Sequence, residues 1–227
     1  MRALKGYWYR GEGGLNFGDA LNPLLFRRLL HVTLEWTPPP EAEIFAIGSN
    51  IELIPEGFTG TILGAGISRA STRRDLSAAR VLAVRGNLTA ACCGLGAPLY
   101  ADLGLLAPEL LDRRPEPDID HGFIRHFADN RRVKSYSIDV ISGPEHVLRE
   151  AARCQRITSS SLHGLILADA LGIPSRWSPH RASGAVKFED YGSSYGEVIW
   201  PYVWRRAHLP LVAEKQEALL EALRSLV

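Results

Sequence analysis

Short runs of apolar, often β-branched residues closing on glycine recur through the first half of the chain: Ile44-Phe45-Ala46-Ile47-Gly48, Thr61-Ile62-Leu63-Gly64 and Val81-Leu82-Ala83-Val84-Arg85-Gly86. A strand that is apolar at consecutive positions is buried on both faces, which is the habit of a parallel sheet covered by helices. Helical stretches fit between the runs. Asn22 before Pro23 reads as an N-cap with proline at the first helical position, and predicts a helix to about Leu30. Asn87 or Thr89 opens another, through Ala90-Ala91-Cys92.

The charged, proline-rich stretch Asp112-Arg113-Arg114-Pro115-Glu116-Pro117-Asp118 has no periodicity and reads as a linker. Beyond it the alternation resumes. Lys134 to Ile141 predicts a strand, and Ser142-Gly143-Pro144-Glu145 opens a helix ending near Arg153. Arg156-Ile157-Thr158 is a brief strand, and a helix follows from about Ser161 to Leu171, closed by Gly172 and Pro174. Leu211, Leu219, Leu220, Leu223 and Leu226 give the tail the period of an amphipathic helix. The expected fold class is α/β, in two Rossmann-like halves over residues 1–112 and 119–227, the second carrying the terminal helix. A cleft between the halves, at the carboxyl ends of the strands, is where a ligand is expected. The loops after Ile47, Leu63, Val84 and Ile157 lie there.

Composition narrows the classes without choosing one. The chain has 227 residues, 46% hydrophobic and 22% charged, which is globular. A formal net charge of +1 gives no nucleic-acid footprint, so an acidic partner must be met by a local pocket. Cys92, Cys93 and Cys154 lack disulfide or zinc spacing and read as reduced, packed thiols in a cytoplasmic protein. Residues 1–7 carry no apolar run suited to a signal peptide, and Leu162 to Ile173 is too short to span a bilayer. At most peripheral membrane contact is expected, at the inner face.

The turn Thr158-Ser159-Ser160-Ser161-Leu162-His163-Gly164 concentrates candidate chemistry. A helix start presents unpaired N–H groups and a positive dipole end to an anion. One serine is expected to cap the helix, leaving two to meet a ligand, with Gly164 admitting it to the backbone and His163 beside it. A capped helix with an incidental histidine reads equally well. Asn16-Phe17-Gly18-Asp19, after Gly11, Gly13 and Gly14, is a second cluster; Asp19 serves there as a base or hydroxyl ligand, or simply caps a helix. Arg85 ends a buried strand and points toward the cleft, as an anion ligand or half of a surface ion pair. Asp102, in Tyr100-Ala101-Asp102-Leu103-Gly104, is structural or functional. Read as a strand, Lys187-Phe188-Glu189-Asp190-Tyr191 sends at most one of its two carboxylates into the cleft. Gly64-Ala65-Gly66 lacks the third glycine of a dinucleotide site.

Taken in order, Asn16-Phe17-Gly18-Asp19, Ile47-Gly48-Ser49, Leu63-Gly64-Ala65-Gly66, Val84-Arg85-Gly86-Asn87, Ala101-Asp102-Leu103-Gly104 and above all Ser159-Ser160-Ser161-Leu162-His163-Gly164 resemble the polysaccharide pyruvyl transferase family. The resemblance implies an exopolysaccharide enzyme that moves a pyruvyl group from phosphoenolpyruvate to two hydroxyls of a sugar acceptor, free or lipid-linked, making a cyclic ketal and releasing phosphate. It implies a compact fold like the two-lobed GT-B glycosyltransferases. His163 becomes the general acid and Asp19 the second catalytic residue. Asn16, Gly18, Gly66, Ser159, Ser160, Ser161, Leu162 and Gly164 become substrate contacts. Ser161 stands where some relatives carry an arginine, so donor binding is assigned to Arg85. No step needs a metal, and no cofactor beyond the donor substrate is expected. The helix dipole should lower the pKa of His163 and the bound polyanion raise it. A nucleotide-sugar glycosyltransferase and a non-catalytic carbohydrate-binding relative are the rival readings.

Overall fold

A computed structural model describes residues 3–10, 16–96 and 98–227 of the chain. The N-terminal sheet holds β1 (Ala3–Tyr7), β2 (Thr33–Trp36), β3 (Ile44–Phe45), β4 (Thr61–Ala65), β5 (Arg80–Val84) and β6 (Leu99–Tyr100), in the order β2-β1-β3-β4-β5-β6 and parallel throughout. Helix α1 (Leu21–Leu30) joins the first two strands, and α2 (Asn87–Cys92) follows β5. The C-terminal sheet holds β7 (Ile119–Ile124), β8 (Tyr136–Ile138), β9 (Cys154–Ser159), β10 (Ser175–Trp177) and β11 (Trp204–Arg205), ordered β11-β10-β9-β7-β8. Only its β10–β11 pair is antiparallel. Around it lie α3 (Pro144–Ala152), α4 (Leu162–Ala170), α5 (Val186–Ser193) and α6 (Leu209–Arg224). The α/β alternation read from the apolar runs is therefore present in both halves.

The halves share one core. Leu25, Phe26, Leu63 and Leu105 of the first belong to the same buried cluster as Leu148, Ile157, Leu165 and Ile166 of the second. The terminal helix belongs to the second half in sequence but lies on the first. Lys215 donates to the Tyr100 carbonyl, Gln216 to that of Leu105 at 2.8 Å, and Arg80 to the Ser225 hydroxyl at 2.8 Å.

Helix α1 starts at Leu21, one residue before the expected cap. Asn22, 1% exposed, does a different job: its amide donates to the Asp19 and Ile47 carbonyls at 2.9 and 3.0 Å and accepts from Ile47 N–H at 2.9 Å. That side chain pins the loop after β3 to the loop carrying Asp19. The stretch 134–141 yields only the short β8, and β7 is a strand the apolar pattern does not announce.

Each sheet reverses its winding at one point. In the first, β2 and β3 lie on either side of β1, so the gap beyond β1 and β3 is a switch point; in the second, β8 and β9 flank β7, and the gap lies beyond β7 and β9. Chain leaving neighbouring strands in opposite directions opens a crevice there, which is where doubly wound sheets bind ligands. Among the described residues no helix is long and apolar enough to cross a membrane.

Candidate active site

The two crevices face each other across one cavity of about 450 Å³. Tyr9, Asn16 and Asp19 reach it from beyond β1, Ser49 and Glu52 from beyond β3, and Ser68 and Arg69 from beyond β4. The second half contributes His126 and Phe127 after β7, Ser161, Leu162 and His163 where β9 turns into α4, and Lys187 at the start of α5. The glycines at 11, 13 and 14 lie outside the described residues.

His163 is 7% exposed, and burial together with the charges of Lys187, Arg85 and His126 pushes its pKa down to about 3, so its imidazole is neutral. Its Nε2 lies 4.0 Å from Oδ2 of Asp102, and neither atom has a hydrogen-bond partner. The other carboxylate oxygen of Asp102 accepts from Gly104 N–H at 2.8 Å, which aims the free one at the ring. Burial pushes Asp102 up to about 6. A buried donor facing a buried acceptor across a gap slightly longer than a hydrogen bond is a dyad that tightens when the imidazole gains charge.

Gly18 sets the other side of the ring. A Cβ built there runs into Nδ1 and Cγ of His163, so any side chain at this position displaces the imidazole. Gly18→Ala is expected to lower turnover about 10²-fold, the cost of a misplacement near 1 Å, with a loss of about 1–3 kcal/mol in stability, because the added Cβ also meets the His163 Cβ. Turnover and thermal unfolding measured together check this; full activity would mean that the ring position is not critical.

Asp19 is 3% exposed and accepts from Tyr9 N–H at 3.3 Å and from the Asn16 amide at 2.6 Å. It does not cap α1, whose N-cap residue Ala20 has no side-chain cap. Burial pushes its carboxyl up to about 7, with Asp102 adding to the rise and Lys187 opposing it. Lys187 is pushed down to about 8 by burial and by Arg85. The cavity thus sets an uncharged imidazole against a carboxyl that keeps its proton to neutrality.

Several expected contacts have other duties. Ser159 is buried, donating to the Ile124 and Ser161 carbonyls at 2.9 and 2.8 Å. Ser160 is buried too, donating to Asp129 at 2.6 Å and accepting from His126 N–H at 2.9 Å. Neither is free for a ligand, and Ser161, the N-cap residue, makes no side-chain cap bond. Only Ser161 faces the cavity, so the expected division into one capping and two binding serines is corrected: the first two build the turn. Gly164 is glycine because a Cβ would strike the Ser159 hydroxyl, not to admit a ligand; Gly66 leaves room for the Arg85 guanidinium.

Arg85 does not reach the cavity wall. It is 0% exposed, with Nε on Asp190 at 2.9 Å, one terminal nitrogen on Ser49 at 2.8 Å and the other on the Ile67 carbonyl. Asp190 also accepts from Thr89 N–H at 2.8 Å and its hydroxyl at 2.7 Å. The sequence 187–191 is helical rather than a strand. Asp190 therefore turns inward, Glu189 is exposed, and Lys187 takes the place on the cavity that was expected of a carboxylate. The lysine stood in plain view; only the wrong period hid it. His126 and Phe127 carried no comparable signal, because β7 itself was not legible. Burial pushes the Cys93 and Cys154 thiols up to about 11 and about 12, leaving them inert. Among the described residues no cluster of three or more ligating side chains is placed to hold a metal ion.

The chain is 28% identical over 240 aligned positions to the succinoglycan biosynthesis protein ExoV of Rhizobium meliloti (strain 1021), a match covering 97% of this chain and 72% of that protein. It is 33% identical over 114 positions to the "Uncharacterized protein L143" of Acanthamoeba polyphaga mimivirus, covering 42% of this chain and 39% of that one. No solved structure matches the chain. The profile of the polysaccharide pyruvyl transferases matches residues 44–180, from β3 to just past β10 and so across Arg85, Asp102 and His163; the chain belongs to that family.

Proposed function

We propose that the cavity transfers a pyruvyl group from phosphoenolpyruvate to two hydroxyls of one sugar in a polysaccharide or its precursor. The observation that carries this reading is that Asp19 and His163 line one cavity, two buried groups whose environments push their proton affinities in opposite directions beside Lys187. The donor's phosphate and carboxylate are met by Lys187, Arg69 and the N–H groups that open α4. Tyr9, Phe127 and Glu52 are left for the acceptor.

In balance, C3 of the donor gains one proton, two acceptor oxygens bond to C2, and the C2–O bond to phosphate breaks. One hydroxyl proton is matched by the one placed on C3, and the other leaves with phosphate. His163 supplies the C3 proton and Asp19 takes one from a hydroxyl. The free pair holds a single proton from about pH 3 to about 7, and it sits on Asp19. Moving it to His163 costs about 5 kcal/mol. A donor charge favours this transfer only by the excess of its attraction to the imidazolium over its repulsion of the Asp19 carboxylate, so the donor's charge must lie nearer His163 than Asp19. So placed, the bound polyanion switches on the acid.

It follows that kcat/KM falls as pH rises through about 7, where the pair loses its proton, and more steeply above about 8, where Lys187 loses its charge. Lys187→Arg should remove the second step and leave the first. A profile that climbs through neutrality would reverse these roles.

The two-sheet arrangement with α6 returning to the first half is read as a compact relative of the GT-B glycosyltransferases. The acceptor is taken to be an exopolysaccharide unit, in line with the succinoglycan relative's name. Phosphate release from phosphoenolpyruvate, dependent on a panel of diol-bearing sugars and oligosaccharides, tests the reading. Release of nucleotide from a nucleotide sugar, or no turnover with either donor, would favour a rival.

A further inference from the structure

The chain from 198 to 204 forms an exposed aromatic ridge: Val198 is 61% exposed, Trp200 63%, Tyr202 62%, Val203 53% and Trp204 38%. A soluble monomer rarely shows so continuous an apolar patch without a use for it. The ridge is held, not loose. Tyr202 sits at φ 60°, which a tyrosine keeps only where its surroundings enforce it, and its N–H donates to the Trp177 carbonyl at 2.8 Å. Trp177 pairs in turn with Ser159, so the ridge begins at Tyr202 beside the cavity end of the C-terminal sheet and runs along β11 toward the sheet's other end.

Its rim is rich in arginine, partly neutralised by acids. The Arg176 guanidinium lies 4.7 Å from the Trp204 ring and that of Arg156 5.8 Å away, with exposed Arg206 beside them. Arg156 is paired with Asp120, and Arg205 with Asp169 and Glu197, whereas Arg176 and Arg206 make no ion pair among the described residues. No acidic residue falls within 198–206. Indole and phenol rings over valines, rimmed by arginines, match the water–headgroup boundary of an anionic bilayer, where rings sit at headgroup depth and guanidinium groups reach phosphate. Addition of strands from a second copy fits poorly, since β11 has two residues and Pro201 interrupts the edge.

We infer that this ridge docks the protein on an anionic lipid surface. Docking would bring the protein to an acceptor carried on a lipid and so deepens the transferase reading, but the docking itself does not depend on the reaction.

Sedimentation with vesicles of phosphatidylcholine, alone or mixed about three to one with phosphatidylglycerol, tests it without any substrate. The protein should pellet with the mixed vesicles and stay in solution with the neutral ones, and added salt should release it. Trp200→Ser with Val203→Ser should weaken binding at least about ten-fold, the worth of burying such side chains. Arg206→Ala should weaken it about five-fold. All three positions are exposed, so unchanged thermal unfolding should accompany these losses. Wild-type protein that ignores both vesicles, or a double variant that binds as well as wild type, would overturn the inference. So would light scattering that shows a dimer which the double variant breaks, since a second copy would then cover the ridge. Vesicle binding without pyruvyl transfer would overturn only the transferase reading, and transfer without vesicle binding only this one.

Discussion

Alanine at position 163 is expected to cut pyruvyl transfer by about 10²–10⁴-fold, the usual contribution of a positioned general acid. The fold should survive. His163 Nε2 makes no hydrogen bond, so its removal strands no partner that was previously satisfied, and Asp102 keeps its bond from Gly104. Donor affinity should weaken but persist, since a donor that draws a proton onto His163 gains from the imidazolium in return, while Lys187, Arg69 and the start of α4 remain. Turnover, calorimetric binding of phosphoenolpyruvate and circular dichroism together check this. A folded variant with near-normal turnover would remove His163 from the chemistry, and a variant that no longer binds donor would make it an anion ligand instead.

A second large effect is expected far from any substrate. Asp190→Ala leaves the Arg85 guanidinium, 0% exposed, without its counter-charge, and should lower stability by about 3–5 kcal/mol. Arg85→Met combined with Asp190→Leu should recover most of that loss, because a buried ion pair is worth little more than a well-packed apolar pair, while half of one is costly. Urea unfolding of the single and double variants reads the difference. If Asp190→Ala does not fold, a folding double variant still carries the point; equal losses in both would show that the charge is compensated by Ser49 and the Ile67 carbonyl alone. This pair also joins the halves, since Arg85 follows β5 and Asp190 lies on α5, so the double variant tests whether the cavity geometry depends on it.

Arg85 shows why part of the site was hidden. Its place at the end of a buried strand was read correctly, but an arginine there points equally well to a ligand or to an acid, and the acid is 105 residues away in sequence. With Asp190 on it, the proposed donor contact falls instead to Lys187, whose helix the sequence does not announce because Lys187-Phe188-Glu189-Asp190-Tyr191 is too short to show its period. The serines failed for a related reason. Their number signals hydrogen-bonding capacity, and nothing local tells whether a ligand or the chain will use it; the Ile124 carbonyl and Asp129, from the neighbouring strand β7 and its loop, claim two of the three.

By itself the sequence determined the alternation of strands and helices, the break near 112–118, the turn that carries His163 into the first residues of α4, and the place of Asp19 ahead of α1. Those features rest on apolar period, turn chemistry and helix starts, all of which act over a few residues. Only the tertiary structure decided that Asp102 faces His163, that Gly18 fixes the ring, that Arg85 is spent on Asp190, and that the two switch points close on one cavity. It also set the proton affinities of Asp19 and His163, because burial is a property of the packed molecule, and the same carboxyl or imidazole in an open chain would titrate at its ordinary value.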